Sequence, residues 1–371
     1  MKTKLATAIA FSLVAGTTFA APTFYGEIDV SADYLPEDNV NGDRDVVELN
    51  SNSSFVGLKG EEKLTDRLNA LYQAEFTINV DDGASNSDTF VPRNLFVGIK
   101  DAQLGTLKAG KIDTPVKQLS SVVDTFNNYV DNKADIGGIF TGENRIDNVV
   151  VYETPAFKVA NGDLKATALL ATGEASGIAK GKGASKVAGR GLGDAFSTSV
   201  VYDNKKVIAG IGYDKAIPSN FAGVGFLNTD DGEIGEVASI FAAANTIRAI
   251  GRVNLDGGLA LKALYQTSEV EEVAGNDAVA AFIDDAQGWL IGAEYKLPNA
   301  QAWTIKGQYS QNTTEFTDGI ADFEAQQILV GADYAFSKQV KAYGHAGYLT
   351  LEQGADKTNQ PVAGLGLEYK F

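Results

Sequence analysis

The strongest constraint on this chain is a period of two that runs along most of its length. Near the start, Phe24, Gly26, Ile28, Val30, Ala32 and Tyr34 alternate with Tyr25, Glu27, Asp29, Ser31 and Asp33. Residues 68–80 repeat the pattern, with Leu68, Ala70, Tyr72, Ala74, Phe76, Ile78 and Val80 set against Asn69, Leu71, Gln73, Glu75, Thr77 and Asn79. The chain also ends on it: Ala363, Leu365, Leu367, Tyr369 and Phe371 alternate with Gly364, Gly366, Glu368 and Lys370. Successive side chains of a strand point to opposite faces, so each such stretch has one apolar and one polar face. No stretch reaches the ~18 consecutive apolar residues that a transmembrane helix needs.

Two details decide what the apolar faces meet. Aromatics gather near the ends of the apolar sets (Phe24, Tyr34, Trp289, Tyr295, Tyr309, Tyr334, Tyr348, Tyr369, Phe371), whereas the core of a sandwich would scatter them. Girdles of this kind mark the two interfaces of a membrane barrel. The apolar sets of the clearest strands carry no charge; Arg248, Arg252, Lys262, Lys306, Lys341 and Lys370 all fall on the other set. A Lys or Arg on the lipid face costs roughly 2–4 kcal/mol at the midplane. In lipid every backbone polar group needs an internal partner, and strands meet that need only in a closed barrel.

The rhythm predicts sixteen strands: 23–34, 46–60, 68–80, 90–100, 105–112, 146–154, 163–172, 195–203, 205–213, 243–254, 258–268, 287–296, 301–310, 325–335, 339–349 and 362–371. Short connections (101–104, 203–204, 255–257, 298–300, 336–338) alternate with long ones (112–145, 173–194, 214–242, 269–286, 311–324, 350–361). Short turns on one side and long loops on the other are the asymmetry of an outer-membrane barrel. An even count places both chain ends on the short-turn side. Sixteen strands enclose an aqueous channel instead of a filled interior.

The ends fit this picture. Residues 1–20 carry Lys2 and Lys4, an apolar run from Leu5 to Val14, and small residues before Ala21; they read as a cleaved secretory signal, leaving 21–371 as the barrel. The formal charge of −17 argues against nucleic acid as a partner. With no cysteine, disulfides contribute nothing.

One long connection differs from the others. Residues 112–145 contain Val116, Leu119, Val122, Val123, Phe126, Tyr129, Val130, Ile136, Ile139 and Phe140, together with Asp113, Asp124, Asp131, Asp135 and Glu143. A loop with that many apolar residues must bury them, and the inner wall of the barrel is the available surface. Arg93 and Arg145 flank it. Basic wall residues opposite acidic loop residues would set a field across the narrowest point, and charge rings of this type govern ion selectivity.

The chain here resembles the proteobacterial general porins. The segment RNLFVGIKDAQLGTLKAGKIDTP (93–115) is similar to that family's approach to its pore-folded third loop, and NRIDNVVVYETPAF (144–157) to the strand that follows it. SSFVGLKGEEKL (53–64) and the terminal GLEYKF also match family patterns, while 170–290 matches mainly in strand rhythm. The resemblance implies an outer-membrane, homotrimeric, sixteen-stranded antiparallel β-barrel with the third extracellular loop inside, passing ions and small hydrophilic solutes without a cofactor. It places Arg93 and Arg145 on family wall arginines and Lys111 at the root of the loop. Many members carry Arg where this chain has Phe55, with Lys59 on the same face as a replacement. It further implies that the terminal Phe371 is read by the barrel-assembly machinery. With the acidic loop and Phe55, the expectation is weak cation preference or poor selectivity; a channel specific for sugars or carboxylates is the alternative.

Other signals are weak. GIAKGKG (177–183) lacks the spacing of a phosphate loop; with Lys186 and Arg190 it reads as a basic outer loop able to meet lipopolysaccharide. His345 is the only histidine, and its parity places it in the lumen wall, so a barrel hydrolase is disfavoured. The acidic loops 81–88 and 228–236 do not follow the EF-hand pattern, and no metal site is expected.

Overall fold

The computed structural model describes residues 21–37, 44–81, 90–174, 178–184, 191–227, 240–271, 281–317 and 319–371. The leader 1–20, most of 81–88, all of 228–236, and Lys186 and Arg190 lie outside these residues.

The strand segments, in chain order, are β1 (Thr23–Glu37), β2 (Arg44–Ser51), β3 (Phe55–Lys63), β4 (Leu68–Ile78), β5 (Phe90–Asp101) and β6 (Gly105–Asp113). After the long loop come β7 (Arg145–Glu153), β8 (Phe157–Val159), β9 (Gly162–Ala171), β10 (Phe196–Asp203), β11 (Val207–Asn220) and β12 (Phe241–Asn254). The series ends with β13 (Leu259–Val270), β14 (Ile283–Lys296), β15 (Trp303–Phe316), β16 (Phe323–Ala335), β17 (Val340–Gln353) and β18 (Asp356–Lys370). All pairings are antiparallel, and β1 closes the sheet on β18 from Glu27↔Lys370 to Tyr34↔Ala363. Two staves are each broken into two segments. β2 and β3 both pair with β1 across a gap at 52–54, and β7 and β8 both pair with β9 across 154–156. The eighteen segments therefore form the sixteen staves of a closed barrel.

The alternation sorts as its chemistry requires. Leu365 on β18 is 73% exposed on the outer face, beside Leu367 and Tyr369, while Glu27, Asp29, Ser31 and Asp33 are buried on the inner face. Outer aromatics form two rows. Trp303, Tyr334 and Phe336 stack near the short turns (4.9–5.0 Å between ring centroids), and Trp289 stacks on Tyr309 at 5.0 Å towards the long loops. Phe371 belongs to the first row. Its ring lies 5.6 Å from Phe24 and covers Gly26, where a Cβ would come within 2.4 Å of it. The backbones of Gly26 and Phe371 exchange two hydrogen bonds of 3.0 Å, so the last residue belongs to the seam.

The strands run further towards the long loops than the alternation predicts. The expected strand 205–213 continues to Asn220, 301–310 to Phe316, and the last begins at Asp356 instead of 362. Above the lipid both faces meet water or loop, so the apolar–polar contrast fades while the backbone ladder continues. The expected continuous strand 46–60 is interrupted because Ser53 adopts a left-handed conformation (φ 55°).

Candidate functional site

The connection between β6 and β7 turns into the barrel. It opens with helix α1 (Pro115–Val123), which Thr114 caps by accepting Lys117 N–H at 3.1 Å, with proline in the first turn. Leu119 packs onto Gly210 and Gly212 of β11, where an added Cβ would come within 2.8 and 2.9 Å of its methyl groups. Those glycines let the helix lie close to the wall. The loop then crosses the wall in order. Thr125 N–H donates to Gln308 on β15 (2.8 Å), Lys306 lies 4.9 Å over Phe126, and Tyr129 stacks on Tyr343 of β17 at 4.3 Å. At its tip, Val130, Asp131 and Asn132 are all left-handed (φ 51–60°), which is costly for a β-branched residue. The break between β2 and β3 braces this tip: Asn52 accepts Asp131 N–H at 2.9 Å, and Ser53 donates to Asn132 at 2.8 Å.

Four wall cations hold the loop. Arg248 is 0% exposed and donates to Gln266, to the carbonyls of Val116 and Thr141, to Ser120 and to Glu143. Lys262 pairs with Glu294 and reaches the Asp124 carbonyl at 3.3 Å. Lys306 donates to Tyr129 Oη at 2.6 Å and pairs with Asp333 at 2.9 Å. Arg252 reaches the Val122 carbonyl at 3.5 Å. These residues read in sequence only as scattered lumen cations; their common role depends on the route the loop takes.

A second inward segment was not anticipated. Residues 221–227, read as part of an outer loop, place Phe221 and Phe226 at 0% exposure. Gly225 N–H donates to Gly138 of the long loop at 2.8 Å. The run of Phe221, Val224 and Phe226 carried the same apolar signal that marked 112–145.

The loop leaves the wall of β3–β9 facing open lumen, and Arg93 and Arg145 lie there. A β-bulge sets Arg93 and Asn94 together opposite Glu75, since the register shifts between Ala74 and Phe76. Arg93 donates to Glu75 at 2.7 Å and lies 5.0 Å over the ring of Phe55. Arg145 pairs with Asp113 at 3.0 Å; Asn94 also donates to Asp113, and Lys117 approaches it at 3.8 Å. Lys59 sits 4.3 Å over Tyr25. Lys111 is half-buried on β6 opposite Leu95, its Nζ 3.8 Å from where a Cβ on Gly181 would stand.

Of the anticipated pairings of wall arginines with loop acids, Arg145 with Asp113 is present, while Arg93 pairs with Glu75 of the wall and the other loop acids turn elsewhere. Asp124 and Asp135 are each 8% exposed, and their carboxylates accept backbone N–H groups of the loop itself. Asp124 takes those of Phe126 and Ile136, both at 3.2 Å; Asp135 takes those of Gly137 at 2.7 Å and Asn128 at 3.4 Å. Glu143 serves Arg248 and Ser120. A buried loop must satisfy its own backbone donors, and these carboxylates do so. Of the five loop acids singled out, Asp131 alone is exposed. Burial pushes the Asp124 carboxyl up to about 6, and burial together with Asp124 raises that of Asp135 well above the usual range.

The comparisons with known proteins agree with this architecture. A family model described as Gram-negative porin matches residues 6–354. The major outer membrane protein P.IB of Neisseria gonorrhoeae is 25% identical over 97% of this chain and 99% of its own length. An outer membrane porin protein of Bordetella pertussis is 24% identical over 98% and 99%. Among solved structures, the anion-selective porin from Comamonas acidovorans superposes with a TM-score of 0.69 at 21% identity, covering 95% of this chain and 99% of that one.

Proposed function

The chain belongs to the Gram-negative porin family and is an outer-membrane channel for passive diffusion of ions and small hydrophilic solutes; from that premise we propose that the β3–β9 wall, and not the loop carboxylates, sets its selectivity. The observation that carries this reading is the division of the lumen. The loop is pinned to one wall by buried cations, while Glu75–Arg93 and Asp113–Arg145 line the side left open. Solute passes between these pairs and the exposed face of α1, with Lys117 contributing from the helix. Of the carboxylates that favoured cations in the sequence reading, Asp124 and Asp135 are turned into the loop and Glu143 is bound to Arg248. Lys59 and Lys165 face the lumen and, among the described residues, have no carboxylate partner. Their field favours anions. Reversal potentials in a KCl gradient test this: chloride is expected to be the more permeant ion, and a potassium-favouring channel overturns the assignment.

Several further parts of the reading stand as proposals. Residues 1–20 are a cleaved export signal, which the N-terminal sequence of protein recovered from outer membranes checks. The protein is a homotrimer, which cross-linking in the native membrane checks. Phe371 serves both the seam and recognition by the assembly machinery; its deletion is expected to reduce barrel insertion while leaving the conductance of inserted channels near that of the intact protein. Lipopolysaccharide meets the loop that carries Lys180 and Lys182, although Lys182 is already paired with Asp147 at 2.7 Å. No catalytic role is assigned to His345. Its side chain is fully buried beside Asp33 at 3.1 Å and within 5.1 Å of the Tyr129 ring, where a substrate has no access.

A further inference from the structure

On the open side, a cavity of about 940 Å³ lies between α1 and the β3–β9 wall, towards the short turns. Its lining combines charge and apolar surface in a fixed order. In register across three strands, Lys59 of β3 faces Gln73 of β4, which faces Phe96 of β5. One pair along, Leu71 faces Gly98, which presents no side chain. Neighbouring strands lie ~4.8 Å apart, so the Lys59 and Phe96 backbones are separated by about 10 Å. The other lysines beside this row are already paired, Lys100 with Glu61 at 3.1 Å and Lys108 with Glu153 at 2.5 Å. Among the described residues, Lys59 has no carboxylate partner and rests on the face of Tyr25 at 4.3 Å.

Phe96 packs in part against the buried wall around Ile112 and Ile146 and under Lys108, and the apolar surface that it and half-buried Leu71 still leave to water is a cost. A solute that covers them recovers that cost. We infer that this row is a binding station for small organic monoanions with an aromatic or branched apolar arm. The carboxylate meets the Lys59 ammonium and the Gln73 amide, and the arm lies along Leu71, which folds across Gly98, towards Phe96, whose ring carries the Lys108 ammonium at 4.9 Å. This rests on the channel reading above and adds a substrate class to it.

The test is current block in the mature protein reconstituted in planar bilayers, with benzoate, acetate and benzyl alcohol as probes. Benzoate is expected to halve the KCl current at a concentration at least tenfold below that of acetate, and benzyl alcohol at the benzoate concentration to leave it unchanged. Lys59→Gln should raise the half-blocking benzoate concentration at least fivefold. Leu71→Ser should bring benzoate towards acetate, and it serves as the second variant if Lys59→Gln does not insert. Equal block by benzoate and acetate, or benzoate block indifferent to both substitutions, overturns the station. A protein that conducts KCl but does not discriminate fails this inference alone; one that conducts nothing fails the channel reading.

Discussion

Arg248 and Arg145 are both lumen-side arginines bound to a carboxylate, and they do different work. Arg248 has a fully buried side chain, and most of its partners are atoms of the inserted loop. Arg145 keeps 17% of its side chain exposed beside Asp113 at the boundary of the open lumen. The contrast extends to the walls that carry them. From β11 to β17, wall side chains serve as a core for a loop that has too little structure to stand alone. From β3 to β9, the same kind of strand sets the ion pairs Glu75–Arg93 and Asp113–Arg145 at the edge of the open lumen, each of their side chains less than a fifth exposed. A barrel of sixteen staves is too wide to be filled by its own side chains, so one stretch of wall anchors the filler and the remainder forms the channel surface. Charge is structural on the first side and sets a field on the second.

The largest expected effect comes from breaking the dry side. Arg248→Ala removes the cation paired with Glu143 and the guanidinium donor to the carbonyls of Val116 and Thr141, leaving Glu143 with Ser120 and Thr141 with Gln266. Truncating one partner of a buried pair costs about 3–5 kcal/mol. The loop should become protease-sensitive and the channel larger and noisier, read by limited proteolysis and single-channel recording; quiet, wild-type conductance would erase the distinction between the walls. Lys306→Ala removes the donor to Tyr129 Oη and the cation over Phe126. Hydrogen bonds to charged groups are worth about 1.5–3 kcal/mol, so flicker is expected without loss of the loop, again in single-channel traces.

Arg145→Gln tests the wet side. Asp113 keeps Asn94 and Lys117 beside it when the guanidinium is removed, so the thermal stability of the folded barrel should fall less than in Arg248→Ala while the chloride-to-potassium permeability ratio falls. A large stability loss would show that this wall is structural as well. The smallest effect is that of pH. The raised carboxyls of Asp124 and Asp135 mean that the docked loop holds protons that a released loop gives up at ordinary carboxylate pKa values. Docking is therefore favoured most below the ordinary carboxylate range and weakens as pH rises through about 6. Open-channel noise should be lower at acid pH than above neutrality, and Asp124→Asn should flatten that difference.

Much of the barrel could be read from the chain because lipid imposes a contrast on every second residue. That contrast locates the staves, the girdles and the seam, where Phe371 pairs with Gly26. It stops where the lipid stops, so the upper strand ends, the break at 52–54 and the inward turn of 221–227 were not located by it. The apolar content of 112–145 identifies a loop needing a surface, and Arg93 and Arg145 are named in the sequence reading only because they flank it.

Which charges meet is a separate matter, decided only in three dimensions. Arg93 reaches Glu75 because a bulge turns two consecutive residues inward. Asp124 and Asp135 turn away from the lumen because a loop buried against a wall must first satisfy its own N–H groups. Local alternation, enforced by lipid one residue at a time, was written in the sequence. The division of the lumen was not, because it depends on where a long, non-repeating loop comes to rest and on side chains more than a hundred residues apart along the chain, as Arg248 and Thr141 are.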